Sequence, residues 1–387
     1  MEDNKKYTAK TMFGLEDLLA QELHELGAKN IEIGSRAVHF EGDQELLYRA
    51  NFCLRTALHI YTPIVEFSAF DKRRLYKKTK EQDWENYIKL DQTFAIDSVV
   101  NSKFHTHSMY ASLVMKDAIV DYFYEKYDKR PSVDIKNPDV RFHLHIDDQK
   151  VLLSNDSSGK SLHKRGYRVK YNEDIAPVNE VLGAGMILLT GWRGETNFWD
   201  PMCGSGTIPI EAYRIASNTP SQINRDYFTF TNWDDFDEEL WEKVKKEEIA
   251  KIKTPTITIY GSDMNESRLS NAQENAKDAS AIVKFDSKDF LGATAPENEG
   301  VIVMNPPYGE RLPIEEIRDF YHRIGDQFKT NCFGWAAWMI SSNMTALKNV
   351  GLRPSRKIKL YNGALECRFH KYELYKGSRK QKHDENR

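Results

Sequence analysis

The chain has 387 residues, too many for one ordinary domain, and its 40% hydrophobic and 29% charged residues are typical of folded globular proteins. Its formal net charge of -3 at pH 7 excludes a uniformly basic surface, so that any binding of nucleic acid must be local. No stretch approaches the roughly 18 consecutive apolar residues of a membrane span, and the first residues lack a signal-peptide pattern.

Residues 1–65 alternate short apolar strands with helices. Leu15, Leu19 and Leu23 recur at the spacing of one helical face before Gly27, which predicts a helix over residues 14–26. This βαββαβ order predicts a ferredoxin-like unit. The other predicted elements are strands at 7–11, 31–33, 37–40 and 55–65 and a helix at 44–51.

Residues 66–155 form a second predicted α/β segment. A strand at 94–96 precedes a long helix at 108–127. Alternating apolar residues then predict strands at 140–146 and 150–154, which a tight turn joins as a hairpin.

A basic segment lies in the predicted linker, residues 156–177. No acidic residue occurs between Ser157 and Asn172. In a chain with a negative net charge, this segment favours contacts to nucleic-acid phosphates and bases, although a solvated linker has the same composition. The candidate RNA-binding residues of the segment are Lys160, Lys164, Arg165, Tyr167 and Arg168.

Residues 178–375 alternate strongly apolar strands with loops and helices, which predicts a doubly wound α/β sheet covered on both faces. An acidic insertion, residues 232–253, carries Trp233 and Trp241, which we expect to anchor it to the surface of this domain. The polar residues 376–387 predict a disordered tail. The predicted strands are 196–199, 257–260, 283–285, 301–304, 336–340, 358–361 and 367–374.

A glycine loop follows the first strand of this domain, where open α/β sheets bind ligands. It is not a P-loop, because G-K-[ST] is missing, and Ile208 and Pro209 replace the third glycine of a dinucleotide loop. Asp200 would repel a pyrophosphate but attract an ammonium group, such as that of S-adenosylmethionine. The candidate cofactor-binding residues of the loop are Asp200, Cys203, Gly204, Ser205, Gly206 and Thr207.

Two further acidic residues follow the next two strands. Asp263 precedes a helix predicted at 266–278 and is placed to accept the ribose hydroxyls of a nucleoside. Asp289 is placed to accept from an adenine amine. Either carboxylate alone could simply cap a helix, but three acids at successive strand ends favour a cofactor that contains a nucleoside.

The motif Asn305-Pro306-Pro307-Tyr308 follows the fourth strand of the domain. Its prolines stiffen the turn and remove two backbone donors, which leaves carbonyl oxygens and the Asn305 side-chain oxygen as acceptors. Two acceptors that hold the hydrogens of a base amine would ease its lone pair toward an in-line methyl group. Tyr308 would stack on an unstacked base. Asn305, Pro306 and Tyr308 are therefore the candidate catalytic residues, Asn305 also contacts the cofactor, and Arg311 contacts either an RNA phosphate or a local acid.

Together these motifs resemble the THUMP-domain class I RNA methyltransferases, of the type that methylates guanine N2 in ribosomal large-subunit RNA. The resemblance covers nearly the whole chain and includes L-H-K-R-G-Y-R at 162–168, A-P-V-N-E at 176–180, D-P-M-C-G-S-G-T at 200–207 and N-P-P-Y-G-E-R at 305–311. It implies a Rossmann-like methyltransferase domain, S-adenosylmethionine as donor, and a THUMP domain at 66–155 that helps to hold RNA.

The resemblance also implies roles for individual residues. By this analogy the donor is contacted by Asp200, Gly204 and Gly206, its ribose by Asp263, its adenine by Asp289, and the target base by residues 305–308. Cys203 would be a usual residue of the family's loop and not a reactive thiol. The second methyltransferase domain that is fused to some large-subunit enzymes is not found in this sequence, so that one modification is expected.

Several alternatives share these motifs. THUMP methyltransferases also act on transfer RNA, and N-P-P-Y serves N6-adenine methylation by the same chemistry. Methylation of a protein glutamine would leave the basic segment and the THUMP segment without a role. The chain could also be a non-catalytic RNA-binding factor of ribosome assembly, which the intact set of acids and Asn305 argues against.

The expected partner is RNA, and no feature indicates a membrane or an obligate protein partner. The four cysteines lie far apart and form no C-x-x-C pair, which argues against a disulfide framework and a zinc site. A reducing, cytoplasmic location without metal is therefore expected.

Overall fold

A computed structural model describes residues 4–105, 107–168, 177–297, 299–308 and 314–375. The chain divides into two compact units. The first comprises residues 1–11, 20–162 and 225–246, and the second comprises residues 12–19, 163–224 and 247–387. Within the described ranges, no helix is both long and apolar enough to cross a membrane.

The first unit is built on an eight-stranded sheet. Its strands are β1 (Lys5–Thr11), β2 (Lys29–Gly34), β3 (Ala37–Gly42), β4 (Ala57–Ser68), β5 (Thr93–Asn101), β6 (Ser132–Val133), β7 (Val140–Asp147) and β8 (Lys150–Asp156). Their order in the sheet is β2-β3-β1-β4-β8-β7-β5-β6. The helices in this part of the chain are α1 (Glu16–Glu25), α2 (Gln44–Cys53), α3 (Lys72–Lys80) and α4 (Ser108–Tyr127).

Strand β4 is common to both halves of this sheet. Its first residues pair antiparallel with β1, and its residues from Tyr61 to Ser68 pair antiparallel with β8. The ferredoxin-like order β1-α1-β2-β3-α2-β4 and the THUMP segment are therefore continuous through one twelve-residue strand. The predicted boundary at residue 65 lies within this strand.

The helices α3 and α4 cover the second half of the sheet. Leu75 on α3 and Met115 on α4 pack with Phe142 and Leu153 in one buried apolar cluster. The sequence predicted α4 with its observed bounds but did not predict α3. Only Leu75 and Thr79 of α3 are buried, so this helix lacks the apolar stripe by which amphipathic helices are found.

The second unit is built on a seven-stranded sheet with the order β11-β10-β9-β12-β13-β15-β14. Neighbouring strands are parallel from β11 to β13, whereas β15 pairs antiparallel with both β13 and β14. The strands are β9 (Asn197–Asp200), β10 (Ile259–Asp263), β11 (Lys284–Ser287), β12 (Gly300–Met304), β13 (Trp335–Ser341), β14 (Arg356–Asn362) and β15 (Leu365–Glu373). Its helices are α5 (Glu180–Leu189), α6 (Thr207–Ala216), α8 (Glu266–Asp278), α9 (Ile314–Asn331) and α10 (Met344–Lys348), whereas α7 (Glu238–Ala250) lies mostly in the first unit.

The apolar strands of this sheet form the core that holds the ends of the strands in place. Trp199 on β9, Ile302 on β12 and Trp335 on β13 are buried in one cluster with Tyr321 and Phe328 of α9. Burial of large apolar and aromatic side chains supplies most of the driving force for such a core. The prediction of a Rossmann-like sheet preceded by a ferredoxin-like unit is confirmed.

The aromatic residues of the insertion anchor it within the first unit. The Trp241 ring lies edge-on to the rings of Tyr48 and Phe52 on α2, with centroids 5.9 and 5.5 Å apart. Lys243 also pairs with Glu45 at 2.9 Å. The predicted anchoring role is observed, but the anchor is α2 and not the catalytic sheet that flanks the insertion in sequence.

Candidate active site

Three of the predicted residues meet where parallel strands of the second sheet end. Asp200 ends β9, Asp263 ends β10, and Asn305 directly follows β12. In the sheet, β9 lies between β10 and β12. The later strands of the chain are therefore added on both sides of β9, so the strand order reverses there. Such a switch point is the usual ligand site of an open α/β sheet.

Asp200 is a buried carboxylate with only 1% of its surface exposed. Its Oδ1 accepts a hydrogen bond from the backbone N–H of Met202 at 3.1 Å. Burial, and secondly the charge of Asp263, raise the pKa of Asp200 well above its ordinary value. A cationic group beside it would reverse that shift, so the residue is suited to an ammonium ligand.

The glycine loop uses its two glycines differently. Gly206, directly before α6, has φ 84°, and a Cβ there would lie 3.0 Å from the Cβ of Ala272 on α8. Gly204 has φ 54°, but a Cβ there would meet no atom within 4 Å. Gly206 therefore allows α8 to pack closely, whereas Gly204 borders open space from which a ligand could reach the backbone.

Asp263 supports the glycine loop from the neighbouring strand. Its Oδ2 accepts from the backbone N–H of Gly204 at 3.0 Å, and its Oδ1 accepts from that of Asn265 at 2.9 Å. The cap of α8 is Asn265, whose side chain accepts from the N–H of Arg268. Asp263 is therefore not the helix cap, and its remaining lone pairs are available to a ribose.

Asp289 is placed differently from the other two acids. It is exposed, and its Oδ1 accepts from the backbone N–H of Leu291 at 3.0 Å. It thereby caps the short 3-10 turn Phe290–Gly292, the structural role considered for these acids. Its contact to adenine stays a prediction.

Cys203 is a buried residue of the loop. Burial, together with the carboxylates of Asp200 and Asp263, raises the pKa of its thiol well above the ordinary value. A thiol that resists ionisation is a poor nucleophile. This agrees with a structural role for Cys203.

The Asn305 side chain leaves one acceptor open at the end of β12. Its Oδ1 is buried and has no hydrogen-bond partner among the described residues. A buried polar atom left unpaired costs roughly 1–3 kcal/mol. Such an atom is therefore expected to meet a donor from a ligand.

The rest of the Asn-Pro-Pro-Tyr corner is held by two side chains that the sequence did not single out. The hydroxyl of Tyr308 accepts from Asn362 Nδ2 at 2.7 Å. The buried Tyr321 hydroxyl lies 3.4 Å from the carbonyl oxygen of Pro307, to which it donates, and 2.8 Å from Ser341 Oγ. Asn362 precedes a glycine in a hairpin, which indicates only a turn, and Tyr321 matches an ordinary core position of α9.

These residues fit S-adenosylmethionine. Asp200 presents a buried carboxylate to its ammonium group, the loop at Gly204 borders open space, and Asp263 keeps acceptor capacity for ribose. Asn305 presents an unpaired acceptor beside them. Ser205 has a structural contact, because its carbonyl oxygen accepts a hydrogen bond from Asn275 Nδ2 at 2.9 Å.

The predicted RNA contacts of the basic segment need correction. Arg165 is 1% exposed, with its Nε 3.7 Å from Glu211 Oε1, and the Tyr167 hydroxyl donates to the same oxygen at 3.1 Å. Arg168 pairs with the buried Glu180 at 3.0 Å and donates to Thr207 Oγ1. These side chains face the interior of the second unit because buried carboxylates compensate their charges.

Only two residues of that predicted group remain accessible. Lys160 and Lys164 are exposed. Arg168 instead has a positioning role, since it links the segment to the first residue of α6. Arg311 lies outside the described residues.

Comparison with known proteins identifies the domains of the chain. Residues 165–371 match the RMKL-like methyltransferase domain, residues 70–156 the THUMP domain, and residues 6–61 the RlmL ferredoxin-like domain. A proposed RNA methyltransferase of Synechocystis is 36% identical over 96% of this chain and 97% of its own length. The chain therefore belongs to the RMKL-like methyltransferase family.

Two further relatives are informative. A ribosomal RNA large subunit methyltransferase K/L of Syntrophotalea carbinolica is 38% identical over 95% of this chain, which spans 53% of that protein. A crystal structure of a proposed methyltransferase with S-adenosylhomocysteine, the demethylated donor, has 28% identity and a TM-score of 0.86, and covers 98% of this chain and 100% of that one. The prediction of S-adenosylmethionine as cofactor is confirmed at the level of the family.

Proposed function

We propose that this protein transfers a methyl group from S-adenosylmethionine to the exocyclic N2 amine of a guanine in RNA. The first candidate substrate is large-subunit ribosomal RNA. The observation that carries the proposal is the buried Oδ1 of Asn305, which has no partner within the described ranges and lies at the end of the strand next to the one that ends in Asp200. The THUMP domain and the names of the relatives support RNA as the substrate.

The residues of the corner orient the amine. A base amine has two N–H donors, and its lone pair is conjugated with the ring. The Asn305 oxygen and a carbonyl of the Pro-Pro turn accept these hydrogens and turn the lone pair out of the ring plane. Preorganised acceptors of this kind lower the barrier because they need no rearrangement during the reaction.

The residues of the loop hold the donor. When bound, S-adenosylmethionine would supply a methyl carbon on a positively charged sulfur: the N–C bond would form as the C–S bond breaks, the electron pair would stay on the sulfur of S-adenosylhomocysteine, and the methylated nitrogen would release one proton to solvent. Asp200 binds the ammonium group, and Asp263 accepts from the ribose while it supports Gly204. Tyr308 stacks on the base, and Asn362 fixes the Tyr308 ring through its hydroxyl.

The location of the protein is part of the proposal. None of the four cysteines, all of which lie in the described residues, forms a disulfide. A reducing cytoplasm, where ribosomal RNA is modified, fits this usage.

Nucleoside mass spectrometry tests the proposed function. Ribosomal and transfer RNA are compared between cells that contain the protein, cells that lack it, and cells that carry Asn305→Ala. We expect loss of N2-methylguanosine from large-subunit RNA in the last two. Loss from transfer RNA would change the substrate, and loss of N6-methyladenosine or N7-methylguanosine would change the target atom. RNA without any change would indicate a non-catalytic factor.

A further inference from the structure

Five large apolar side chains lie exposed where α3 and α4 begin. The beginnings of these helices adjoin, because a ring nitrogen of His105 lies 3.1 Å from the carbonyl oxygen of Ala69, and Lys72 Nζ lies 6.0 Å from the centre of the Tyr110 ring. We call the five side chains the apical patch: Phe70, Phe104, Met109, Tyr110 and Leu113.

The exposure of the apical patch is unusual for its residue types. Met109 keeps 78% of its surface exposed, Tyr110 keeps 50%, and Phe70 keeps 49%. Single exposed apolar residues are common, but grouped ones mark sites of interaction. All five residues belong to the first unit, so the apical patch is a property of that unit alone.

The first turn of α3, next to the apical patch, carries three cations. Six of the nine residues of α3 are lysine or arginine, and none is acidic. Lys78 and Lys80, in the second half of α3, pair with Glu81 and Glu125. In contrast, no carboxylate of the described residues lies within 4.0 Å of the three cations of the first turn, Lys72, Arg73 and Arg74.

The cations and the rings are arranged together. The guanidinium carbon of Arg74 lies 5.5 Å from the centre of the Phe70 ring, a cation–π distance. The adjacent carboxylate of Asp71 is engaged as the cap of α3, where it accepts from the backbone N–H of Arg74 at 2.7 Å. The surface is therefore both aromatic and positively charged, which complements a polyanion with exposed aromatic rings.

We propose that the apical patch binds unpaired nucleotides of RNA. Bases stack on Phe70 and Tyr110, while Lys72, Arg73 and Arg74 neutralise the flanking phosphates. Single strands expose base faces to such rings, whereas a duplex hides them. The choice of RNA as the polyanion rests on the proposed function.

Binding of the full chain to two labelled RNAs tests the proposal. The RNAs are a short oligouridylate and a hairpin duplex with the same number of phosphates. The affinity for each RNA is measured by fluorescence anisotropy. Phe70→Ala with Tyr110→Ala should weaken oligouridylate binding by about tenfold or more, since each stacked base contributes substantially. Duplex binding should change little. The matched control is Ile33→Ala, which removes an exposed apolar side chain on β2.

The cations have a separate signature. Lys72→Ala, Arg73→Ala and Arg74→Ala together should reduce the slope of log affinity against log salt by roughly 2, because each lost phosphate contact removes about 0.7 on single strands. Lys29→Ala on β2 is the control. Donor uptake should be unchanged in every variant, which shows that the second unit is intact.

Three outcomes would overturn the proposal. The aromatic variant could bind oligouridylate as the wild type does, or lose duplex binding to the same extent. In a parallel measurement with anionic phospholipid vesicles, the aromatic variant could lose vesicle binding and keep RNA binding. That result would make the apical patch a lipid-binding surface. If these variants lose RNA binding but the wild type methylates no RNA, the proposed function fails and the apical patch stands. If the wild type methylates RNA and the variants bind normally, the apical patch fails alone.

Discussion

The two sides of the candidate active site differ in how far the protein satisfies its own polar groups. On the donor side, Asp263 accepts from Gly204, and the Ser205 carbonyl accepts from Asn275. On the base side, Asn305 Oδ1 has no partner in the described part of the chain. Under the proposed function, the donor side is built in advance, and the base side would be completed by a substrate that brings an N–H group.

The two sides also differ in what supports them. The Arg168–Glu180 pair and Arg165, beside Glu211 of α6, place buried charges behind the glycine loop. Neutral contacts from Tyr321 and Asn362 support the corner. Substitutions of the buried charges behind the glycine loop should therefore lower the free energy of unfolding, whereas substitutions at the Asn-Pro-Pro-Tyr corner should lower the rate of methyl transfer.

Asp200→Ala is expected to give the largest effect. Removal of the carboxylate should abolish measurable donor binding, because the ammonium loses the buried counter-charge that Asp200 provides. The fold should persist: burial raises the pKa of Asp200, so its ionised form opposes folding at neutral pH. Calorimetry measures donor uptake, and Asp319→Ala, at an exposed position on α9, is the control. Wild-type affinity in Asp200→Ala would contradict the assignment.

Arg165→Ala is expected to destabilise the protein by about 3–5 kcal/mol, because it removes one partner of the buried ion pair with Glu211. Urea unfolding gives this value. Lys164→Ala, at the exposed neighbouring position, should stay within about 0.5 kcal/mol of the wild type. Equal stabilities would mean that the basic segment is not part of the core.

Asn305→Ala should separate binding from chemistry. Loss of one preorganised transition-state contact lowers kcat by roughly 10²–10³-fold. Donor affinity should stay close to that of the wild type, because Asp200 and the loop are unchanged. Single-turnover transfer to RNA measures the effect, and an unchanged rate would remove Asn305 from the mechanism.

The pH dependence of donor binding should be the mildest effect. The ionised form of Asp200 binds the ammonium, and burial raises its pKa, so protonation competes with the donor as the pH falls through that pKa. Affinity should fall about tenfold per pH unit below the raised pKa and level off above it. Asp200→Asn should bind weakly without this slope. A wild-type affinity that is independent of pH would argue that Asp200 is already ionised.

The motifs and the catalytic sheet could be predicted because their signals are local. A buried strand such as β12 is a continuous apolar run, and the two prolines after it restrict the chain directly. The helices α4 and α8 were predicted with their observed bounds for the same reason. The proximity of Asp200, Asp263 and Asn305 could be predicted because the carboxyl ends of parallel strands lie at the same edge of a sheet.

The remaining features depend on partners that are distant in sequence. Arg165 and Arg168 were predicted to contact RNA, since nothing near them in the sequence indicates Glu211 or Glu180 as partners. The helix α3 was not predicted because six of its nine residues are cationic and only two are buried, which leaves no apolar periodicity in the sequence. Tyr321 and Asn362 became visible only when the fold placed them beside the corner.

The shared strand β4 has a consequence for dissecting the protein. A THUMP fragment that begins at residue 66 would lose most of the strand that pairs with β8. The backbone amides and carbonyls along β8 would then form an open edge that invites association with other chains. Removal of residues 1–65 should therefore yield aggregates and not an isolated RNA-binding module.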